Sequence, residues 1–247
     1  MERWRNKTAV ITEASLGIGI ACSIDLIKEG MKVIAFFKEE DTLEKLMNKY
    51  PEEIRDKVHF ICCDITDEQD VVRVFKLIKE HFGGVNLLIN NAGLVFPTEL
   101  TIPNNTYEIQ KTLDVNVLSA MLCVREAFHQ MKDFNDGHIV VLNSVAGHKV
   151  PNFPLGSVNI YAAAMHAITA MTETYRQEFS EANSNIKVTS ISCGIVNSEI
   201  MPARFQDLVD FPMLRPENVV SAILYVVSTP PHVQIHELTV KPLHETF

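Results

Sequence analysis

Two short stretches carry residues whose types and spacing point to chemistry. In the first, Gly17 and Gly19 follow an apolar run that ends at Thr12 and open a helical segment. A helix entered through glycines presents free N–H groups and the positive end of its dipole, a natural seat for phosphate. Glu13 stands between that run and the glycines, so a carboxylate is expected beside the same seat. In the second stretch, Tyr161 and Met165 are one helical turn apart and share a face. An unperturbed tyrosine has a pKa near ~10, far from a useful value at neutral pH. Met165 brings no charge and only a weak sulfur acceptor.

The elements that must position these residues alternate along the chain. Strands are expected at Thr8–Thr12, Lys32–Phe37, Val58–Cys62, Asn86–Asn90, His138–Asn143, Lys187–Ser192 and Gln234–Val240. Their β-branched, nearly continuous apolar character suits strands covered on both faces. Helical spacing runs through Leu43–Tyr50, Asp67–His81, Thr106–Met131, Tyr161–Glu181 and Pro216–Ser228. Such alternation predicts an α/β chain with one Rossmann-like, doubly wound parallel sheet of about seven strands and helices on both faces. Ligands of such folds bind at the carboxyl ends of the strands. With no linker, repeat or low-complexity tract, residues 1–247 read as a single domain. The irregular stretch Pro202–Pro212 reads equally as a lid or an ordinary surface connection.

Bulk properties narrow the function classes. A chain of 247 residues with 47% hydrophobic content can bury a full core. A net charge of −9 without a Lys/Arg run argues against nucleic-acid or anionic-membrane surfaces. No apolar run reaches the ~18 residues of a spanning helix, and the first residues lack a signal-peptide apolar region. Cys22, Cys62, Cys63, Cys123 and Cys193 show neither zinc nor redox spacing and read as buried thiols in a reducing cytoplasm. The nine histidines form no metal-ligand pattern.

Further motifs give the chain a specific resemblance. Asn90-Asn91-Ala92-Gly93 follows the fourth expected strand, Asp64 the third, and Asn116 lies in Val-Asn-Val. Ser144 opens Ser-Val-Ala-Gly-His, seventeen residues before Tyr161. In this order and spacing the chain resembles the short-chain dehydrogenase/reductase family over essentially its whole length. Its opening Met-Glu-Arg-Trp and the Pro230–Ile235 stretch are most similar to a subgroup that includes insect farnesol dehydrogenases and a related vertebrate reductase.

The resemblance implies an NADP(H)-dependent alcohol or carbonyl oxidoreductase lineage acting on a small lipophilic alcohol or ketone, such as a terpenoid or steroid. It implies that Tyr161 moves the proton on the substrate oxygen, Ser144 holds that oxygen and Asn116 anchors a water. Cofactor contacts carry over to Thr12, Ser15, Gly17, Ile18, Gly19, Asp64, Ile65, Asn91, Ala92, Gly93, Gly194, Val196 and Ser198. Lys38 stands where a base favours a 2′-phosphate, with Phe37 in the place of the acid that favours NAD. A homodimer or homotetramer through the Thr106–Met131 and Tyr161–Glu181 helices is also implied.

Three positions depart from the family pattern. Glu13 replaces the first glycine of Thr-Gly-x-x-x-Gly-x-Gly, Met165 replaces the lysine of Tyr-x-x-x-Lys, and Cys193 replaces the proline of Pro-Gly-x-Val-x-Thr. The family's lysine lowers the tyrosine pKa and hydrogen-bonds the nicotinamide ribose. Glu13 either faces the cofactor or turns to solvent. The expectation is therefore a scaffold with impaired catalysis and cofactor binding, serving as a lipophilic-ligand or regulatory protein. The alternative is an active oxidoreductase with an altered proton relay. Lys149 and His166 are poor substitutes for the lysine. Phe153, Phe205, Phe211 and Met213 are candidates for the wall of a lipophilic pocket, and His148 and His166 for substrate contact.

Overall fold

The computed structural model describes residues 1–38, 43–152, 157–199 and 212–245. Seven strands form one all-parallel sheet in the order β3-β2-β1-β4-β5-β6-β7. They are β1 (Thr8–Ile11), β2 (Lys32–Phe37), β3 (Val58–Cys62), β4 (Leu87–Asn90), β5 (Gly137–Ser144), β6 (Ile186–Cys193) and β7 (Glu237–Val240). Every residue of β1, β4 and β6 is buried, as strands covered on both faces require. β7 at the sheet edge alternates exposed with half-buried residues and is shorter than expected, because Gln234–His236 sit outside it.

Helices cover both faces. One face carries α4 (Glu68–Phe82), α6 (Ser119–Lys132) and α7 (Tyr161–Glu181), packed over Val10, Ile34, Leu88, Ile139 and Val188. The other carries α1 (Gly17–Lys28) and α8 (Pro216–Ser228), packed over Ala9, Ile11, Val33, Leu87 and Ile191. The expected Leu43–Tyr50 helix is observed as the shorter α2 (Leu43–Asn48), and a further short helix, α3 (Glu52–Arg55), follows Pro51. Proline cannot continue the hydrogen-bond ladder of a preceding helix. At the start of α4, the Asp67 carboxylate accepts the Gln69 N–H at 2.9 Å.

The expected Thr106–Met131 helix is three pieces. α5 (Thr106–Leu113) leads into a π-helical turn, Asp114–Leu118, before α6. The wider turn points Asn116 inward, and such π-bulges gather at functional sites.

The chain winds outward from β1 to β3, then returns to place β4 on the other side of β1. This reversal opens a crevice at the carboxyl ends of β1 and β4, where ligands of doubly wound folds bind. At the opposite end of the sheet, His138 is fully buried on β5 with Nε2 2.8 Å from the Thr189 hydroxyl. Burial first, then Lys187 and Arg3, push its pKa down to about 3. The unfolded chain, with an ordinary value near ~6.5, takes up a proton that the folded chain refuses between the two values. Stability is therefore lost as pH falls from ~6.5 towards ~3, by about 1.4 kcal/mol per pH unit from this one group. Urea unfolding at pH 7 and pH 4.5 is expected to show that loss, and His138→Leu is expected to remove it. Equal pH dependence in the two proteins would contradict the assignment.

Cysteines depart from expectation at one position. Cys62, the last residue of β3, is exposed, because the edge strand covers only one side there; the other four are buried. Among the described residues no helix is long and apolar enough to cross a membrane, and no three His, Cys, Asp or Glu cluster as metal ligands.

Candidate active site

The crevice holds two adjoining cavities. The first, about 200 Å³, is lined by Ile18, Asn91, Ala92, Gly93, Asn116, Ser144, Tyr161, Met165, Gly194, Val196 and Ser198. The second, about 270 Å³, is lined by Glu13, Ser15, Lys38, Ile65 and again Ala92, beside Phe36 and Phe37. Residues scattered from position 13 to position 198 thus meet at the carboxyl edge of the sheet.

Several expected contacts brace the site rather than line it. Thr12 is fully buried, and its hydroxyl oxygen accepts the N–H groups of Asn91 at 2.9 Å and Ala92 at 3.0 Å. It ties the end of β1 to the end of β4. A Cβ on Gly19 would lie 2.3 Å from the Glu13 carbonyl oxygen, so only glycine lets α1 pack against that turn. Asp64 lines neither cavity. Its carboxylate accepts the N–H and O–H of Thr66 at 2.9 and 2.6 Å. Partial burial works against the charge, but Thr66, Lys111 and Lys38 outweigh it and hold the carboxyl below its usual pKa.

The tyrosine side of the first cavity is assembled by three elements. Ser144 ends β5, Tyr161 begins α7, and the π turn supplies Asn116. Tyr161 and Ser144 stand side by side on the cavity wall. Burial is the main cause that pushes the Tyr161 phenol up to about 12; the Cys193 thiol adds to it and Ser144 opposes it. None of these three influences is cationic. Met165 is buried at 5% exposure on the Tyr161 face. Its carbonyl accepts from Thr169, whose hydroxyl also takes the Asn143 side-chain N–H at 2.9 Å. Asn116 spends both ends of its amide on Leu94, accepting its N–H and donating to its carbonyl, each at 2.7 Å.

None of the candidate substitutes for the lysine reaches this point. Lys149 is exposed beyond the turn after Ser144. His166 is exposed and its Nδ1 lies 2.8 Å from the Ala162 carbonyl oxygen. Neither His148 nor His166 lines the cavity. His148 Nε2 is 3.0 Å from the Ser192 hydroxyl and also pairs with Glu237 at 2.5 Å, because its loop folds back on β6 and β7. Burial raises the Cys193 thiol pKa to about 12, which suits an inert wall residue. Phe153, Phe205, Phe211 and all but Pro212 of the Pro202–Pro212 stretch lie outside the described residues. Met213 does not line the cavity; Leu94, Val95, Leu142, Val145, Val158 and Ile195 supply its apolar wall.

Two carboxylates stand on the phosphate side. Glu13 does not turn to solvent: its Oε2 accepts the Gly93 N–H at 3.0 Å. Its backbone is left-handed, with φ at 53°, and its carbonyl accepts from the Asn91 side chain at 3.1 Å. A glycine adopts that conformation freely, whereas any other L-residue is strained there by roughly 1–2 kcal/mol. The second is Glu199, which sequence reasoning did not single out. Its Oε2 lies 3.3 Å from where a Cβ on Gly17 would be, beside the N-terminus of α1. A short acidic residue far along the chain gave no local signal of that placement.

With this geometry in view, comparison with known proteins places the chain. The model of the short chain dehydrogenase family matches residues 7–208. Farnesol dehydrogenase of Aedes aegypti is 45% identical over 250 residues, covering all of both chains. Dehydrogenase/reductase SDR family member 11 of Homo sapiens is 35% identical over 263 residues, covering 99% of this chain and 97% of that protein. The chain belongs to the short-chain dehydrogenase family. Its fold matches the closed form of serine dehydrogenase complexed with NADP+ with a TM-score of 0.84 at 22% identity, over 97% of this chain and 96% of the other. It also matches ElxO with NADP bound with a TM-score of 0.79 at 23% identity, over 96% and 97%.

Proposed function

We propose that this chain keeps the alcohol- and ketone-binding half of an oxidoreductase site while hydride transfer and dinucleotide binding are impaired. The observation that carries the reading is Met165, an uncharged side chain buried on the face of a tyrosine whose pKa is pushed up to about 12. A phenol in that state holds its proton at neutral pH. Tyr161 then serves as a hydrogen-bond donor to a ligand oxygen, with Ser144 as its partner.

The cofactor side supports the same reading. The glycines of α1 and the Lys38 ammonium suit an NADP(H)-type dinucleotide. Glu13 and Glu199, however, put two negative groups where a diphosphate would lie, and Glu13 occupies the Gly93 N–H. No lysine bonds a nicotinamide ribose from the Met165 position. The residues do not fit a tightly held dinucleotide. The apolar wall favours a small lipophilic alcohol or ketone of terpenoid or steroid type. We place the protein in the cytoplasm, as a homodimer or homotetramer, and light scattering checks the assembly.

The alternative is an active NADP(H)-dependent oxidoreductase, favoured by Ser144 and Tyr161 side by side on one cavity wall and the inward Asn116. Farnesol, named by the Aedes relative, separates the two readings. Purified protein with farnesol and NADP+ is expected to turn over well below the ~1–1000 per second of ordinary enzymes. Cofactor-free farnesol binding is expected to weaken about tenfold in Ser144→Ala, the effect of about one good hydrogen bond. Ordinary turnover would overturn the proposal in favour of the alternative.

A further inference from the structure

We infer that Glu245 is a positioning residue: its buried carboxylate latches the turn after β7 to the Ile195 N–H and so fixes one wall of the cavity that holds Tyr161. That wall is the segment after β6, where Gly194, Ile195, Val196 and Ser198 all line the cavity. Its backbone is pinned at several points. The Gly194 N–H donates to the Val240 carbonyl at 2.8 Å, and the Leu214 N–H donates to the Ile195 carbonyl at 2.8 Å. Among the described residues the Ile195 N–H has no such main-chain acceptor; it donates to Glu245 Oε2 at 3.0 Å.

The Glu245 side chain has 0% exposure, so this is no surface pairing. Its other oxygen faces the Lys241 ammonium at 3.2 Å. A buried carboxylate is tolerated only where it is paired and hydrogen-bonded, and these two partners supply that. Gly194 shows how closely the tail is seated. A Cβ there would lie 2.1 Å from Glu245 Oε2 and 2.9 Å from Pro242 Cδ. Gly194 is not among the residues with positive φ. Glycine is therefore needed at 194 to admit the carboxylate, not to reach an unusual backbone conformation. The family-like glycine and the tail acid form one unit.

The latch acts through the backbone of Ile195 and touches no ligand. What it would do for ligand binding rests on the function proposed above, but the contact itself does not. Hydrogen exchange of the full-length protein, without cofactor or ligand, tests it independently of that reading. In Glu245→Ala, peptides covering residues 192–199 are expected to exchange about tenfold faster, the opening expected for loss of one such hydrogen bond. Peptides from β2 and α4 are expected to be unchanged. Glu245→Gln keeps a carbonyl acceptor and is expected to restore most of the protection. If Glu245→Ala does not fold, Glu245→Asp, drawn back by one methylene, is expected to loosen the same peptides. Unchanged exchange at 192–199, or an equal rise throughout the molecule with no rescue by glutamine, would overturn the inference.

Discussion

Met165→Lys in a Glu13→Gly background is expected to raise turnover of a lipophilic alcohol by roughly a hundred- to ten-thousandfold, the usual contribution of general acid–base catalysis. Position 165 lies one turn along α7 from Tyr161 and is buried at 5% exposure, so an ammonium there would face the phenol across a dry gap. A cation at that range favours the phenolate and draws the tyrosine pKa down from about 12. Burying a lysine opposes folding, so stability is expected to fall as activity rises. Steady-state rates for the parent, both single variants and the double variant read the outcome. Met165→Lys alone is expected to gain less, because cofactor affinity still limits it. If all four proteins react at comparable ordinary rates, the relay has been rebuilt from other residues, and the active alternative is correct.

Glu13→Gly alone is expected to tighten NADPH binding by up to about a thousandfold. One like-charge contact at ~4 Å and an effective dielectric of ~20 opposes binding by about 4 kcal/mol. The substitution also frees the Gly93 N–H and relieves a left-handed backbone that glycine adopts without strain. Glu199 remains beside α1, so the gain is expected to be partial and to shrink as salt screens the charges. Nicotinamide fluorescence at two ionic strengths measures it. Equal NADPH affinity of the two proteins would mean that the Glu13 carboxylate swings aside at no cost.

Much of this architecture was legible in residue order alone. The bounds of β2, β3, α7 and α8 match their expected ranges, because apolar runs and helical spacing are local signals. The Tyr161, Ser144 and Asn116 convergence was legible through family motifs rather than through periodicity. The π turn at Asp114–Leu118 was not, since a one-residue widening leaves the apolar pattern of a long helix nearly unchanged. The direction of Glu13 depended on an acceptor site created by Gly93, eighty residues away. Glu199 and Glu245 were missed for the same reason. Each meets its glycine only after the sheet has formed, and neither carries a local motif.

Calorimetric titration of the unaltered protein with NADPH tests the central claim most directly. No saturable binding is expected below millimolar cofactor, because Glu13 occupies the Gly93 N–H, Glu199 adds a negative charge beside the start of α1, and Met165 offers a ribose nothing. Micromolar binding would contradict it and show that the acids are accommodated in a working oxidoreductase.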